Sequence, residues 1–331
     1  MKRVNNLYSK ICSIENLNIA YNKAKKGKTK TYGVKLYEKE LDSNLKKLNE
    51  ELTSFSYKTS EYSIFTITDP KERIVYRLPF KDRIVHHAIM NVLEPIWVSV
   101  FTADTYSCIK GRGIHSLLNK LKFVLKNVDS TTFCLKLDIK KFYPSIDHDI
   151  LKFIIRKKIK DKNLLNLLDE IIDSAPGVPI GNYLSQFFAN LYLSYFDHWL
   201  KENKKIKYYY RYADDIVILS NNKSYLHNIF ADIKEYMGNN LKLSIKSNYQ
   251  IFKVESRGID FVGYKFFHTH ILLRKSIKQN ICRKAAKLNK KDISVQIYKN
   301  QISPNLGWAI HCNSKNLLKK IIKKEVHEEI F

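Results

Sequence analysis

Two adjacent carboxylates, Asp214 and Asp215, interrupt the most strand-like segment of the sequence, YYYRYADDIVILS at residues 208–220. The aromatic and β-branched residues on both sides predict two strands joined by a tight turn. Two like charges in such a turn repel each other and lose solvation unless a cation is bound beside them. Mg²⁺ fits because it prefers carboxylate oxygens and keeps other positions for water and phosphate. A solvated acidic turn is the alternative at this point.

A third carboxylate is expected to join this pair. The segment TTFCLKLDIKKFYPSID predicts a buried strand that ends at Asp138. Because neighbouring side chains of a strand point to opposite faces, Asp214 and Asp215 cannot be equivalent ligands in a regular strand. Asp138 supplies the additional acid, and the three together predict a site for two metal ions about 3.5–4 Å apart.

The order of the predicted elements favours an α+β fold. Strand-like alternation, with a basic turn around Pro70, precedes a helix that begins at about Lys81. After Asp138 the apolar period predicts one long helix, from about 148 to 173, and a further helix over 182–203. Strand, helix, helix and hairpin is the order of an α+β fold with an antiparallel sheet, not of a doubly wound sheet.

The charge of the chain favours a polyanionic partner. Lys and Arg number 58 against 32 Asp and Glu, a formal net charge of +26, and neutralising phosphates releases their counterions. An AT-rich coding sequence that inflates Lys is the alternative source of the excess. Five scattered cysteines without a CxxC pair argue against disulfides and zinc. Without an apolar run of signal or membrane-span length, we expect a cytoplasmic protein and no membrane contact.

Three segments of the sequence resemble a known family. LKLDIKKFYPSID, GVPIGNYLSQFFANLYL and YADDIVIL match motifs A, B and C of reverse transcriptases in order and spacing, within roughly residues 65–265. The resemblance implies a right-hand polymerase with fingers, a palm of antiparallel sheet plus helices, and a helical thumb. It also implies an RNA-directed DNA polymerase with two Mg²⁺ ions, which Mn²⁺ can replace. Its other partners would be deoxynucleoside triphosphates, a template RNA and a DNA primer or cDNA product.

A subfamily is indicated by motif B, where Ile180, Gly181, Ser185 and Gln186 form the pattern IGxxxSQ. This pattern is similar to reverse transcriptases of diversity-generating retroelements, as are PFKDRIVHHAIMNVLEPIW, CIKGRGIHSLL and LGWAIHCNSKNL. That resemblance implies errors at template adenines and an accessory oligomeric RNA-binding protein. We expect no maturase or endonuclease extension after LGWAIHCNSKNL. Group II intron-like, retron-like and antiphage reverse transcriptases are alternatives. The non-enzymatic alternative is an RNA-binding module with a vestigial polymerase site. The three intact carboxylates argue against this alternative.

The resemblance assigns roles to residues around the carboxylates. Asp138 and Asp214 match the metal ligands, Asp215 matches the neighbouring acid, and the backbone carbonyl of Ile139 would be a further ligand. Lys246 matches a proton donor to the leaving pyrophosphate, with a plain surface lysine as the alternative. The residues implied for binding the incoming nucleotide are Lys71, Arg73, Tyr143, Ile180 and Gly181. Within this set Tyr143 would be the steric gate against a 2′-hydroxyl, Phe142 is the alternative gate, and Arg77 is a weaker candidate.

Template and primer contacts are expected in the fingers, motif B, a primer-grip turn and the thumb. The glycines of the grip, in RGIDFVGYKFF, permit close approach of a backbone. Helical spacing of apolar residues from Ile277 to Leu288, among Lys and Arg, predicts a thumb helix that follows the nucleic-acid backbone. A membrane-surface helix is the alternative. The residues assigned to these contacts are Arg112, Gln186, Gly258, Gly263, Lys278 and Lys284.

The resemblance also suggests domain boundaries along the chain. We expect an N-terminal helical extension over 1–60, fingers over 61–130 and a palm over 131–268. The palm would hold an inserted fingers segment around 150–175, and the thumb would cover 269–331. His86 and His87 are adjacent on a predicted helix and so point apart, which indicates packing or solvation and not metal binding.

Overall fold

The computed structural model describes residues 3–68 and 72–328. Helices and antiparallel strands are mixed along the chain, which confirms the predicted α+β class. The chain forms two compact units, each assembled from separate segments. The first unit comprises Met1–Cys108, Ile139–Lys205 and Ile233–Ile245, and the second comprises Ile109–Asp138, Ile206–Asp232 and Lys246–Phe331. In the described part of the chain, no helix is both long enough and apolar enough to cross a membrane.

The elements are numbered in chain order. The helices are α1 (Tyr8–Cys12), α2 (Ile14–Lys25), α3 (Tyr32–Glu38), α4 (Leu41–Thr53), α5 (Phe80–Val98), α6 (Ile114–Val124), α7 (His148–Arg156), α8 (Lys162–Asp173), α9 (Tyr183–Tyr192), α10 (Ser194–His198), α11 (Lys223–Leu241), α12 (Val254–Arg257), α13 (Lys275–Asn289), α14 (Val295–Ala309), α15 (Lys315–Ile321) and α16 (Lys324–Glu328). The strands are β1 (Ser63–Ile67), β2 (Arg73–Arg77), β3 (Thr105–Tyr106), β4 (Phe133–Asp138), β5 (Tyr208–Tyr212), β6 (Asp215–Ser220), β7 (Gln250–Lys253), β8 (Ile259–Phe261), β9 (Tyr264–Phe266) and β10 (Ile271–Leu273).

Helix α5 is the main support of the first unit. Several of its apolar residues, among them Ile84, Val85 and Ala88, are fully buried, and α2 packs along it. The buried amide of Asn16 on α2 donates to the carbonyls of Ile11 at 2.9 Å and Ala88 at 3.0 Å. A buried amide is tolerated here because these bonds replace its hydration.

The strand-like residues around Pro70 form β1 and β2, which pair antiparallel in the first unit. Their register runs from Ser63 opposite Arg77 to Ile67 opposite Arg73. The side chains of β1 are all exposed. The basic turn expected around Pro70 lies outside the described residues.

The single long helix predicted over 148–173 is wrong, because the chain forms α7 and α8 with a break between them. Asp161 causes the break. Its Oδ1 accepts the N–H of Leu164 at 3.2 Å and caps α8, while Oδ2 accepts the N–H groups of Leu7 at 2.7 Å and Tyr8 at 2.9 Å. An N-cap aspartate starts a new helix even where the apolar period continues. The helix predicted over 182–203 is likewise divided, into α9, α10 and a π-helical turn.

The second unit is built around an antiparallel sheet in the order β5–β6–β4–β7. The central strands supply a fully buried core that includes Leu135, Ile216 and Val217. A smaller sheet has the order β10–β9–β8. Helix α13 buries Ile281, Ala285 and Leu288, as the helical spacing predicted. These layers fix the ends of β4 and β6, where the acidic side chains lie.

Candidate active site

The sheet register of the second unit brings the predicted carboxylates together. Asp138 ends β4 and lies directly opposite Asp215, which begins β6. Asp214 is in the preceding turn, where Ala213 adopts a left-handed φ of 53°. A tight turn between antiparallel strands requires such a conformation. The predicted hairpin is therefore confirmed, and its turn places Asp214 next to the end of β4.

Arg211 is a part of this site that the sequence analysis missed. It lies on β5, is 0% exposed, and its Nη1 donates to the carbonyl of Ala213 at 2.9 Å. A buried guanidinium held on the turn carbonyl stabilises the left-handed Ala213 and so the position of Asp214. The available signal was a charged residue inside an otherwise aromatic strand.

The electrostatics of the site oppose ionisation of its acids. Burial and, secondly, the charge of Asp138 raise the pKa of Asp214 to about 6. Burial also raises the pKa of Asp215, although the nearby ammonium of Lys136 acts in the opposite direction. Holding these carboxylates as anions at neutral pH costs free energy unless a cation is close to them.

Asp138 shows the clearest need for a cation. Its Oδ1 is buried and has no hydrogen-bond partner among the described residues, whereas its Oδ2 accepts from Nζ of Lys246 at 2.5 Å. A buried carboxylate oxygen without a partner is costly, and a hard divalent cation is its natural partner. The carboxylates therefore fit a magnesium site.

The protein side chains do not complete a metal site by themselves. Across residues 3–68 and 72–328, no group of three or more His, Cys, Asp or Glu side chains is placed to hold a metal ion. Mg²⁺ commonly takes one or two carboxylates and fills its other positions with water and substrate phosphates. Two carboxylate ligands, Asp138 and Asp214, are consistent with this coordination of Mg²⁺.

The backbone next to Asp138 is also bonded into a ladder. Ile139 pairs with Ile245 in an antiparallel bridge. The flanking bonds run from the N–H of Lys140 to Ser244 O at 2.8 Å and from the N–H of Lys246 to Asp138 O at 2.9 Å. Neither of these two hydrogen bonds uses the carbonyl of Ile139. Its role as a metal ligand stays a prediction.

In the first unit, the motif B loop is joined to the β1–β2 hairpin. The N–H of Tyr76 donates to the carbonyl of Ile180 at 2.8 Å. Gly181 has a φ of 123°, and a Cβ at this position would overlap the carbonyl oxygen of Tyr76. The loop therefore lies directly against β2, the strand that carries exposed Arg73 and Arg77 on one face. Lys71 lies outside the described residues.

The gate candidate Tyr143 belongs to the same unit. It begins a 3₁₀ turn, and its carbonyl accepts the N–H of Val178 at 2.9 Å. Its ring is half-buried and meets the ring of Phe142 edge-on at 5.5 Å. Phe142 is only 2% exposed, so its ring is a core side chain. Of the two aromatics, Tyr143 is the one that a ligand can reach.

The template and primer candidates occupy surfaces of different character. Gln186 and Lys278 are exposed, and Arg112 and Lys284 are half-buried. The two primer-grip glycines have left-handed φ values, and the space beside them is filled from within the unit: a Cβ on Gly258 would meet Phe267, and one on Gly263 would meet Trp308. Internal packing thus explains the glycines, and their contact with a primer stays a prediction.

The two adjacent histidines pack, as predicted. Burial lowers the pKa of the fully buried His86 to about 3. His87 stacks on the ring of Tyr183 with 4.2 Å between centroids, and burial lowers its pKa to about 4. Neutral rings in these positions contribute packing area to α5 and α9.

Comparisons with known proteins agree with this architecture. Residues 68–266, more than half of the chain, match the model of the family described as reverse transcriptase (RNA-dependent DNA polymerase). Protein YkfC of Escherichia coli (strain K12) is 24% identical over 230 residues, which cover 56% of this chain and 60% of that protein. The retron Ec73 reverse transcriptase of Escherichia coli is 28% identical over 232 residues, which cover 63% of this chain and 69% of that protein.

A solved structure supports the fold. Apo telomerase from Candida tropicalis superposes with a TM-score of 0.53 at 13% sequence identity, covering 82% of this chain and 62% of the telomerase chain. This likeness confirms the predicted right-hand polymerase fold. The chain spans less than two thirds of the length of YkfC and of that telomerase. By the match over residues 68–266, the chain belongs to the reverse transcriptase family.

Proposed function

We propose that this protein is an RNA-directed DNA polymerase that extends a DNA primer along a template RNA with deoxynucleoside triphosphates. The observation that carries the proposal is Asp138, whose buried Oδ1 has no partner among the described residues, beside Asp214, whose pKa is raised to about 6. A purely structural acid would have both oxygens paired or solvated, whereas Oδ1 of Asp138 is neither in the described part of the chain and would gain from a bound divalent cation.

Asp138 and Asp214 hold Mg²⁺ in this proposal, with Asp215 and the Ile139 carbonyl in support. When bound, two such ions activate the primer 3′-hydroxyl and stabilise the charge that develops on the triphosphate, and Mn²⁺ can take their place. Lys71 and Arg73 grip the triphosphate, and Gly181 lets the motif B loop lie against β2. Tyr143 excludes the 2′-hydroxyl of a ribonucleotide. Lys246 remains a candidate proton donor to pyrophosphate.

Primer extension on an RNA template tests the proposed activity. Asp138→Ala and Asp214→Asn each lower synthesis by at least about a hundredfold, since each removes transition-state stabilisation. Template binding stays within about twofold of wild type, because affinity rests on Lys and Arg contacts to phosphate. Asp129→Asn, an exposed acid of the same unit, is the matched control and keeps full synthesis. Residual synthesis within about tenfold of wild type in either site variant refutes the assignment.

We further propose that the enzyme is error-prone at template adenines and diversifies a target sequence. Its support is Ile180, whose carbonyl is fixed by Tyr76 and whose half-buried side chain offers neither donor nor acceptor to a nucleotide. A mispaired substrate then loses less binding relative to the correct one, and about 1.4 kcal/mol of lost discrimination raises the error rate about tenfold. Ile180→Gln raises fidelity while synthesis persists. Sequencing the cDNA of both forms decides, and equal error spectra remove Ile180 from the mechanism.

A retron-like role is the second candidate, and the similarity to the retron Ec73 reverse transcriptase favours it. A group II intron-like role has narrower support from the intron-encoded protein LtrA of Lactococcus lactis subsp. cremoris, which is 26% identical over 136 residues that cover 38% of this chain and 22% of that protein. The genes beside the coding sequence discriminate between these roles. A pair of near-duplicate repeats differing at adenines supports diversification, and its absence supports the retron-like or intron-like role.

We propose two macromolecular partners, a structured template RNA and an accessory oligomeric RNA-binding protein. The net charge of +26 supports the first. The second follows from the proposed specialisation, since the polymerase motifs occupy most of the chain. Synthesis on the cognate RNA with and without the accessory protein tests the requirement, and full activity of the chain alone refutes it.

A further inference from the structure

The ammonium of Lys246 lies on the acid that the magnesium site needs. Its Nζ is 2.5 Å from Oδ2 of Asp138, so one of the two carboxylate oxygens is already occupied by a positive charge. We propose that Lys246 is a displaceable counter-ion, which neutralises Asp138 in the metal-free protein and must leave before a divalent cation binds. The inference rests on the proposed magnesium site and gives Lys246 a role in metal loading, separate from proton donation.

The two cations compete for the charge of the Asp138 carboxylate, most directly at Oδ2. A magnesium ion binds carboxylate oxygen at about 2.0–2.1 Å. An ammonium that hydrogen-bonds the same oxygen at 2.5 Å would then be in direct repulsion with the ion. The other oxygen, Oδ1, is buried and has no partner in the described part of the chain, so the ammonium satisfies only half of the carboxylate. A divalent cation could bind both carboxylate oxygens of Asp138.

The backbone of Lys246 is hydrogen-bonded to the end of β4, whereas its side chain is partly exposed. The N–H of Lys246 donates to the carbonyl of Asp138 at 2.9 Å, which ties the residue to the end of β4. The Lys246 side chain is 35% exposed and that of Asp138 is 28% exposed. A lysine has a flexible four-carbon stem that can carry its charge into solvent. Displacement is therefore a rotamer change next to an intact sheet.

Two opposite consequences follow from this arrangement. Without Lys246, the metal-free protein loses its nearest cation at Asp138, so the carboxylates repel and stability falls. In the same variant, a metal ion no longer has to break a charged hydrogen bond, so its affinity rises by about tenfold. A lysine with a purely structural role would lower stability without tightening metal binding. Lower stability of the metal-free protein together with tighter metal binding therefore identifies a displaceable counter-ion.

Lys136 provides a matched control on the same strand. It lies two residues before Asp138 on β4 and therefore on the same face. Its Nζ donates to the backbone carbonyl of Asp260 instead of to a site carboxylate. Lys136→Met removes the same unit charge from the neighbourhood without releasing Asp138. Comparing the two variants therefore distinguishes a general loss of positive charge near the acids from the removal of the ammonium that is bonded to Asp138.

The experiment measures Mn²⁺ binding to the full chain by titration calorimetry, without nucleic acid, together with thermal unfolding in EDTA. Lys246→Met is expected to bind Mn²⁺ about tenfold more tightly than wild type and to unfold at a lower temperature in EDTA. Lys246→Arg, which keeps the charge, and Lys136→Met are expected to bind Mn²⁺ at the wild-type level. This pattern supports the proposal.

The outcomes that overturn the inference differ from those that overturn the magnesium site. Equal or weaker Mn²⁺ binding by Lys246→Met than by wild type refutes the displaceable counter-ion, whereas no binding by either protein removes the metal site itself. Tightening by Lys136→Met to the same extent also refutes it, because the effect is then general charge. Undiminished Mn²⁺ binding by Asp138→Asn removes the metal site itself and with it the mechanism proposed for polymerisation.

Discussion

Tyr76 donates its backbone N–H to the carbonyl of Ile180 at 2.8 Å, and this bond joins strand β2 of the β1–β2 hairpin to the motif B loop. The two segments are separated by about a hundred residues of chain, so nothing local to either one indicates the contact. The close approach of β2 to the loop explains why residue 181, next to Ile180, is a glycine. Any side chain at that position would push against the Tyr76 carbonyl.

Gly181→Ala should separate the loop from β2. Its Cβ overlaps the Tyr76 carbonyl oxygen, and its φ of 123° is disfavoured for alanine. We expect the KM for deoxynucleoside triphosphates to rise by about tenfold or more, because a small misplacement of binding groups is costly. Gly27→Ala is the control: Gly27 also has a left-handed φ, but a Cβ there would meet nothing within 4 Å. Steady-state kinetics of both variants check this, and equal KM values contradict it.

Tyr143→Ala should weaken the choice of sugar. Removing the half-buried ring opens space beside the 2′ position, and we expect the preference for deoxynucleotides to fall by about 10–100-fold. Tyr143→Phe keeps the ring and should keep the preference. Phe142→Ala should instead lower the free energy of unfolding by about 3–5 kcal/mol, since this ring is buried. The ratio of kcat/KM for the two sugar types is the measurement, and an unchanged ratio in Tyr143→Ala excludes the gate.

The metal-free protein should become less stable as pH rises from about 4 to about 6. Burial and the charge of Asp138 raise the pKa of Asp214 from 3.8 to about 6 in the fold. The folded state therefore binds the proton more tightly than the unfolded state, and stability is lost as the carboxyl ionises. The loss is about 1–3 kcal/mol and is complete above pH 6.

Asp214→Asn is the variant that isolates this effect. Asparagine does not ionise, so the loss of stability across this pH range should shrink. Chemical denaturation in EDTA at several pH values measures both proteins. Excess Mn²⁺ should reverse the trend for wild type, because the metal binds the ionised acid. Parallel pH profiles for wild type and variant would show that Asp214 ionises normally.

Lys278→Gln should weaken binding to a template–primer duplex and reduce its salt dependence. Lys278 is exposed on α13, and loss of one phosphate contact lowers the slope of log affinity against log salt by about 1. Lys324→Gln is the control, since Lys324 is exposed in the same unit but already lies 3.7 Å from Glu328. Binding titrations at several salt concentrations check the expectation, and equal slopes would remove Lys278 from the interface.

The sequence by itself determined the local elements and the type of chemistry. Aromatic and β-branched residues around Asp214 and Asp215 predicted the hairpin, because strand propensity and turn chemistry depend on near neighbours. The spacing of Ile281, Ala285 and Leu288 predicted the buried stripe of α13 for the same reason. The order of the motifs was enough to indicate the family, since order and spacing are properties of the chain alone.

The sequence predicted helix boundaries less well where a capping side chain starts a new helix within a continuous apolar repeat. The period continues from α7 into α8, yet Asp161 ends the run by binding the N–H groups of Leu164, Leu7 and Tyr8. Two of these partners are more than 150 residues away. A helix pattern contains no information about such partners.

Only the tertiary structure decided how the acids are charged and what holds them. The pairing of Asp138 with Asp215 and the ammonium of Lys246 on Asp138 join segments that are far apart in the sequence. The bond from Arg211 to the carbonyl of Ala213 is local, but it depends on the turn and on the burial of the guanidinium. A pKa depends on burial and on charges within a few ångströms, and both are set by packing and not by order along the chain. Residue type identifies the carboxylates, whereas only the packing around them raises the pKa values of Asp214 and Asp215 and buries the unpartnered Oδ1 of Asp138 in the described part of the chain.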